Sequence, residues 1–213
     1  MPAVIAEKAA LVATLRQADP DAATLCAGWD VWRLLAHLVQ REQDPRGLVG
    51  DALARRPPGG EPGLSRLTGA AGSAPGYQDL VSRFAAGPPR WSPMSWAAEN
   101  INLVEYVIHH EDVRRGGLTP AEPRPLPPEQ QSAIWAKLPV LSRLAFRRSP
   151  VGVSLARPSG ETQVAKRGDP GVVLIGPPVE LALYVSGRRY AAHVEVSGPA
   201  DAVTRFESWT AKL

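Results

Sequence analysis

The fold of the first half of the chain is decided by the stretch Ile101-Asn102-Leu103-Val104-Glu105-Tyr106-Val107-Ile108-His109-His110. Glu105 and His109 are four residues apart, so in a helix their side chains project from one face, roughly 6 Å apart along the axis. Asn102 and Asp112 continue this face at spacings of three residues, and the flanking residues are mostly apolar. A narrow polar line on an otherwise apolar helix is typical of an internal site in a helical bundle.

Glu105 and His109 are therefore predicted to share a bound cation. A buried carboxylate without a partner is costly, and a carboxylate and an imidazole that point together suit a divalent metal. The alternative is a solvated helix edge with an ordinary i,i+4 Glu–His hydrogen bond. The stretch 110–114 ends in Arg114, where a metalloprotease helix needs a second histidine. The Glu-x-x-x-His spacing also differs from the Glu-x-x-His of di-iron bundles, which favours one metal over two.

Composition narrows the class of protein. The 213 residues are enough for one large or two small domains, and the formal net charge is +3. Arginine doublets are dispersed along the chain and aromatic residues make up only 6%, which argues against nucleic-acid binding. The single cysteine, Cys26, excludes a disulfide within the chain and predicts a reducing cytoplasm. No apolar run is long enough to span a membrane, and the N-terminus does not resemble a signal peptide.

Four helical segments are predicted in the first half, at about 4–17, 31–43, 77–86 and 95–115, and an antiparallel bundle is their economical arrangement. Asp30 is a predicted N-cap for the second helix. On that helix His37 lies about 60° from the apolar face and could turn inward. Residues 44–76 are rich in Pro, Gly and Arg and are predicted to form a long excursion with at most short helices.

The second half has a different pattern. Five prolines in 119–128 predict a stiff linker, and 129–148 is predicted to be helical with a kink at Pro139. Alternating apolar residues then predict strands near 151–155, 162–165, 171–176 and 192–198, with helices near 178–186 and 200–212, in the order βββαβα. The predicted fold class is α+β, with a helical bundle (1–118), a proline-rich linker and helix (119–148) and a small α/β domain (149–213).

The sequence resembles the DinB-like superfamily and, more narrowly, the mycothiol-dependent maleylpyruvate isomerase group. The similarity rests on three stretches, Leu25-Cys26-Ala27-Gly28-Trp29, Leu35-Ala36-His37-Leu38 and Glu105-Tyr106-Val107-Ile108-His109-His110-Glu111-Asp112. Residues 151–155, 180–188 and 194–198 resemble the smaller, sterol-carrier-like domain of that group. The resemblance implies a DinB-like four-helix bundle with one divalent metal held by His37, Glu105 and His109. Three protein ligands leave a position open, as in catalytic sites.

The resemblance also implies a metal-dependent enzyme that uses a small thiol, either for transfer of the thiol to a small electrophile or for isomerisation of that electrophile. Zinc suits two imidazoles and one carboxylate, although ligand type does not separate zinc from nickel or iron. The open position would take the thiolate of mycothiol or a similar small thiol. Arg188 would contact an anionic electrophile, and the alternative for this residue is a solvated surface arginine. The partners expected are thus a small thiol and a small electrophile. Two other hypotheses stay open, a non-catalytic metal-binding bundle and a metal-free hydrolase that uses Cys26 and a histidine.

The remaining polar residues have two interpretations each. Asp112 either hydrogen-bonds a ligand imidazole or pairs with an arginine of the same helix, and Asn102 is a further candidate for supporting the ligands. Cys26 is interpreted first as a small buried hydrophobe and second as a nucleophile. His110 points about 100° from His109, so it is predicted to be a packing or surface residue. His193 is predicted to be structural, on a strand.

Overall fold

The computed structural model describes residues 2–44, 60–70, 73–89, 93–117 and 121–212, together with residues 47, 50 and 53. The chain divides into two compact units, Met1–Glu122 and Pro123–Leu213. In the described residues the first unit is helical and the second combines helices with a four-stranded sheet, so the predicted α+β class is confirmed. The predicted excursion at 44–76 falls only partly within the described residues.

The first unit contains the helices α1 (Ala3–Gln17), α2 (Val31–Gln43), α3 (Pro62–Ala70), α4 (Ala74–Ala86) and α5 (Pro93–Arg115). Helix α1 packs on α4 and α5, and α2 packs on α3, α4 and α5. Helices α1, α2, α4 and α5 thus form the predicted four-helix bundle, and α3 is a short helix within the predicted excursion. Within the described ranges, no helix is long and apolar enough to cross a lipid bilayer.

Local sequence signals account for where these helices begin. The Asp30 side chain accepts a hydrogen bond from the backbone N–H of Arg33 at 2.7 Å, so the predicted N-cap of α2 is confirmed. Ser73 caps α4 in the same way by accepting from the N–H of Gly76. Helix α1 buries Val4, Leu11, Val12 and Leu15 at helical spacing, and Glu7 lies on the same buried face.

Helix α5 ends against the loop that precedes α2. A Cβ atom on Gly116 would lie 2.2 Å from the Cα atom of Thr24, so only glycine fits this position. The backbone N–H of Leu25 donates to the carbonyl of Asp112 at 3.1 Å. Both contacts hold the loop, and with it Cys26, beside the last turns of α5.

The second unit contains α6 (Pro128–Trp135), α7 (Leu138–Phe146), β1 (Gly152–Ala156), β2 (Thr162–Lys166), β3 (Gly171–Ile175), α8 (Pro178–Val185), a short 3₁₀ helix (Arg189–Ala191), β4 (Glu195–Ser197) and α9 (Ala200–Thr210). The strand order is β2-β1-β3-β4. Strands β1 and β3 are parallel, and the two outer pairs are antiparallel. The predicted order βββαβα is confirmed.

Helix α8 is buried along its whole length, and the ring of Phe146 packs on Phe206 and Trp209. The prediction of one kinked helix over 129–148 was wrong, because two helices occupy this range and are separated by a turn at 136–137. Pro139 stands in the first turn of α7, where its missing N–H removes no helical hydrogen bond. The strand assignment of His193 was also wrong, since the residue precedes β4.

Candidate metal centre

Three predicted ligand side chains meet inside the bundle. Glu105 and His109 lie on one face of α5, and His37 comes from α2. Glu105 Oε1 is 3.2 Å from His109 Nε2 and 3.5 Å from His37 Nε2. The three ligand atoms all lie within 4.8 Å of one another. The structure thus brings together residues that are 68 positions apart in sequence, the separation of His37 and Glu105.

The spacing of these atoms fits a tetrahedral metal ion. Zinc bonds of about 2.0–2.1 Å at tetrahedral angles place neighbouring ligand atoms about 3.3 Å apart. The two contacts of Glu105, at 3.2 and 3.5 Å, bracket that value. Two imidazole nitrogens and one carboxylate oxygen are also donors that zinc accepts. The residues therefore fit the predicted ion, and their role as ligands stays a prediction.

His109 is held in place by Asp112. The buried carboxylate accepts a hydrogen bond from His109 Nδ1 at 2.9 Å, which leaves Nε2 facing Glu105. The same oxygen, Oδ2, accepts from Cys26 Sγ at 3.1 Å. Arg114 and Arg115 of the same helix pair with Glu111. Of the two interpretations of Asp112, the structure thus places it on the imidazole.

Cys26, His109 and Asp112 also have potential ligand atoms within 4.8 Å of one another. Within this group, one carboxylate oxygen of Asp112 accepts hydrogen bonds from both the thiol of Cys26 and the imidazole of His109. We therefore assign this group to the support of His109 and not to a second metal site. Cys26 is only half-buried, so its interpretation as a plain buried hydrophobe is incomplete.

The protonation of the site follows from its contacts. Burial raises the pKa of Glu105, but hydrogen bonds from His109 and His37 and the charge of Arg41 outweigh it, so the pKa lies well below its usual range. Burial lowers the pKa of His109, yet the hydrogen bonds to Asp112, Cys26 and Glu105 outweigh it and raise the pKa. Burial dominates for His37 and lowers its pKa despite the contact with Glu105.

The three predicted ligands differ in exposure. The side chain of Glu105 is 28% exposed and that of His37 is 16% exposed, whereas His109 is buried. Arg41 lies beside Glu105, with Nη1 3.7 Å from Glu105 Oε1, and its Nη2 donates to Asn102 Oδ1 at 3.3 Å. Arg41 therefore connects Asn102 to Glu105. The ring centroid of Trp29, which precedes α2, lies 5.1 Å from the ring centroid of His37.

His110 faces away from the centre, as its 100° offset predicts. Its Nδ1 contacts Glu7 at 2.7 Å, and its Nε2 contacts the hydroxyl of Thr14 at 2.8 Å. Both ring nitrogens are thus occupied within the core. His110 is buried, so of the two interpretations it takes the packing one.

Several polar residues of the core were missed by the sequence analysis. Arg41 was not assigned, although it lies one turn after His37 and so on the same side of α2. The carboxylate of Glu42 accepts hydrogen bonds from Tyr106 Oη and from Lys8 Nζ, the latter at 2.8 Å. Its burial could have been predicted from its position, because Glu42 follows the buried Leu34 and Leu38 at intervals of four residues and so lies on the same face of α2.

The second unit holds the remaining predicted residue. Arg188 Nη1 donates to the carbonyl of Ser186 at 2.8 Å, close to the end of α8. Its contact with an anionic substrate stays a prediction. The backbone N–H of His193 donates to the buried carboxylate of Glu180 at 2.9 Å, which agrees with a structural role.

Comparison with known proteins gives two findings. A sequence profile described as the mycothiol maleylpyruvate isomerase N-terminal domain matches residues 1–114. Crystal structures of the mycothiol-dependent maleylpyruvate isomerase, and of a histidine-to-alanine mutant of it, are similar to this chain with a TM-score of 0.59 each. Each is 17% identical over 94% of this chain and 92% of its own, so these two show the fold. No curated protein matches the chain.

Proposed function

The chain belongs to the family of the mycothiol maleylpyruvate isomerase N-terminal domain, and on that premise we propose that it is a metal-dependent enzyme that uses a small thiol. His37, Glu105 and His109 would hold one divalent ion, with zinc the best match to their donors. The observation that carries the proposal is the approach of His37 Nε2 and His109 Nε2 to one oxygen of Glu105, at 3.5 and 3.2 Å.

A bound divalent ion would supply one thing, a coordinated thiol that is deprotonated at neutral pH. The chain supplies the arrangement around it. Asp112 fixes the ring of His109, so that Nε2 faces the centre. The partial exposure of Glu105 and His37 leaves a side from which a thiol can approach. A structural zinc site usually has four protein ligands, whereas three ligands would leave one coordination position for the thiol.

Mycothiol is the thiol we propose, because the structurally similar isomerase is named as mycothiol-dependent. For the reaction we propose isomerisation of a small unsaturated electrophile that resembles maleylpyruvate. The thiolate sulfur forms a bond to an alkene carbon, and the π electrons move onto a conjugated carbonyl oxygen. After rotation about the resulting single bond, the electrons return and the carbon–sulfur bond breaks. No oxidant or reductant is needed, and the thiol is regenerated.

Two further assignments belong to the proposal. Arg188 is proposed to bind a negatively charged substrate, since its guanidinium is suited to carboxylates. The cytoplasm is the proposed location, because a small thiol cofactor stays reduced there and the chain has only one cysteine.

Metal analysis of the purified protein tests the site. We expect about one zinc per chain in the wild type and strong loss in His37→Ala, Glu105→Ala and His109→Ala, because each removes a ligand. His193→Ala is the matched control, since it also removes a histidine but not one of the predicted ligands. Equal metal content in all variants would refute the proposed ligands.

The thiol is tested separately on the metal-loaded protein. We expect mycothiol to raise the melting temperature of the wild type, because a ligand that binds only the native state stabilises it. Isomerisation of maleylpyruvate should then require both zinc and mycothiol. A protein that binds zinc but neither responds to mycothiol nor turns over would instead have the role of a non-catalytic metal-binding bundle.

A further inference from the structure

Buried N–H groups beside the candidate metal centre lack acceptors. Among the described residues, Trp29 Nε1, Arg41 Nε and Asn102 Nδ2 are buried and have no hydrogen-bond partner. Folded proteins pair nearly all buried polar groups, so each exception needs an explanation. Three such donors around one site indicate that an acceptor arrives with a ligand.

Asn102 gives the clearest case. It is 1% exposed, so bulk water does not reach its amide. Arginine can only donate hydrogen bonds, so the atom that faces Arg41 Nη2 at 3.3 Å must be the amide oxygen. The NH₂ group is therefore the part left without an acceptor. The contact with Arg41 fixes this orientation.

Arg41 links this amide to the metal centre. Its Nη1 lies 3.7 Å from Glu105 Oε1, beyond the usual length of a hydrogen bond. When Glu105 binds a cation, the charge of the carboxylate is taken up by that cation, and the guanidinium is left without a counter-charge. Arg41 thus presents a positive charge and an Nε without a hydrogen-bond partner beside Glu105.

We propose that Arg41 and Asn102 form a subsite for a carboxylate group of the electrophilic substrate, next to the position of the thiol. A carboxylate supplies the missing acceptors to both side chains and pairs with the guanidinium. Trp29 Nε1, on the side of His37, is a third donor for an oxygen of the same substrate. This assignment rests on the proposed function for the identity of the occupant.

Binding of maleate tests the subsite without any turnover. Maleate is a small cis-unsaturated dicarboxylate, and the uncharged maleamide has nearly the same shape. Calorimetric titration of the zinc-loaded protein without thiol should detect maleate and not maleamide. We expect Arg41→Gln and Asn102→Leu to weaken maleate binding about tenfold or more, the range of a charge-assisted hydrogen bond.

The matched control is Arg33→Gln. Arg33 is on the same helix and similarly buried, but its guanidinium lies beside Glu61 and Ser65, and its Nη2 donates to Ser65 Oγ at 3.1 Å. Maleate binding should be unchanged in this variant, and Arg41→Lys, which keeps the charge, should lose less than Arg41→Gln. Melting curves and zinc content identify any variant that fails to fold, and Arg41→Lys then decides the comparison.

The outcomes separate this inference from the proposed function. Equal maleate affinity in the wild type and the Arg41 variants would mean that the metal alone holds the anion, which overturns the subsite. Absence of maleate binding to the wild type overturns it as well. If the wild type binds zinc but does not respond to mycothiol, the proposed function fails, and maleate titration of the same zinc-loaded protein still decides whether Arg41 and Asn102 bind a carboxylate.

Discussion

The support of His109 by Asp112 can be tested by removing one negative charge. In Asp112→Asn the side chain keeps its size, but the neutral amide is a weaker acceptor for His109 Nδ1 than the carboxylate that now lies 2.9 Å away. A less basic imidazole binds a metal more weakly. Loss of such a partner typically lowers metal affinity about 10- to 100-fold, which corresponds to about 1.4–2.8 kcal/mol.

Glu7→Gln is the matched control for this experiment. Glu7 forms the same kind of buried contact with the neighbouring histidine, at 2.7 Å from His110 Nδ1, but that ring faces away from the centre. Zinc affinity is measured by competition with a chromophoric chelator at fixed pH, and circular dichroism checks folding. We expect Asp112→Asn alone to lose affinity. If it binds zinc as tightly as the wild type, or if Glu7→Gln loses as much, the role assigned to Asp112 is wrong.

Three further predictions concern the loop before α2, the protonation of the site and the thiol. Gly116→Ala should lower the free energy of unfolding by about 1–3 kcal/mol, because the added Cβ meets backbone 2.2 Å away; Gly117→Ala has open space and should have little effect in the same urea titration. Zinc binding near pH 7 should release about one proton, because the pKa of His109 is raised and its Nε2 must lose a proton to bind a metal. Affinity should accordingly rise with pH until that pKa is passed, and calorimetry in buffers of different ionisation enthalpy counts the protons; a count of zero would contradict this. Cys26→Ser keeps a donor to Asp112 and should retain zinc affinity within about threefold, whereas Cys26→Ala should lose more. Loss of activity in Cys26→Ser with zinc intact would favour the nucleophilic interpretation of the thiol.

Contacts within one helix were within reach of the sequence. The pairing of Glu105 with His109 and the separation of His110 from both follow from the helical period, because residues four apart share a face and adjacent residues do not. The capping of α2 by Asp30 is equally local, since one side-chain oxygen satisfies an N–H three residues later.

In the second unit, too, local features could be predicted from the sequence and the pairing of distant segments could not. Alternation and glycine boundaries were enough to place the strands and their order along the chain. The spatial order β2-β1-β3-β4, with β1 and β3 parallel, joins strands that are not consecutive in sequence. The alternation of apolar residues indicates which face of a strand is buried, but it does not indicate which other strand pairs with it.

By itself, the sequence determined which side chains share a helix face and where most helices and strands lie, because short-range geometry is set by backbone periodicity. Only the tertiary structure decided that Arg41 stands beside Glu105, that Cys26 reaches Asp112 and that His37 faces His109. Those distances depend on how α2, α5 and the loop before α2 pack together. Packing depends on the complementary shapes of whole helix surfaces, so the spacing of residues along one segment does not fix it.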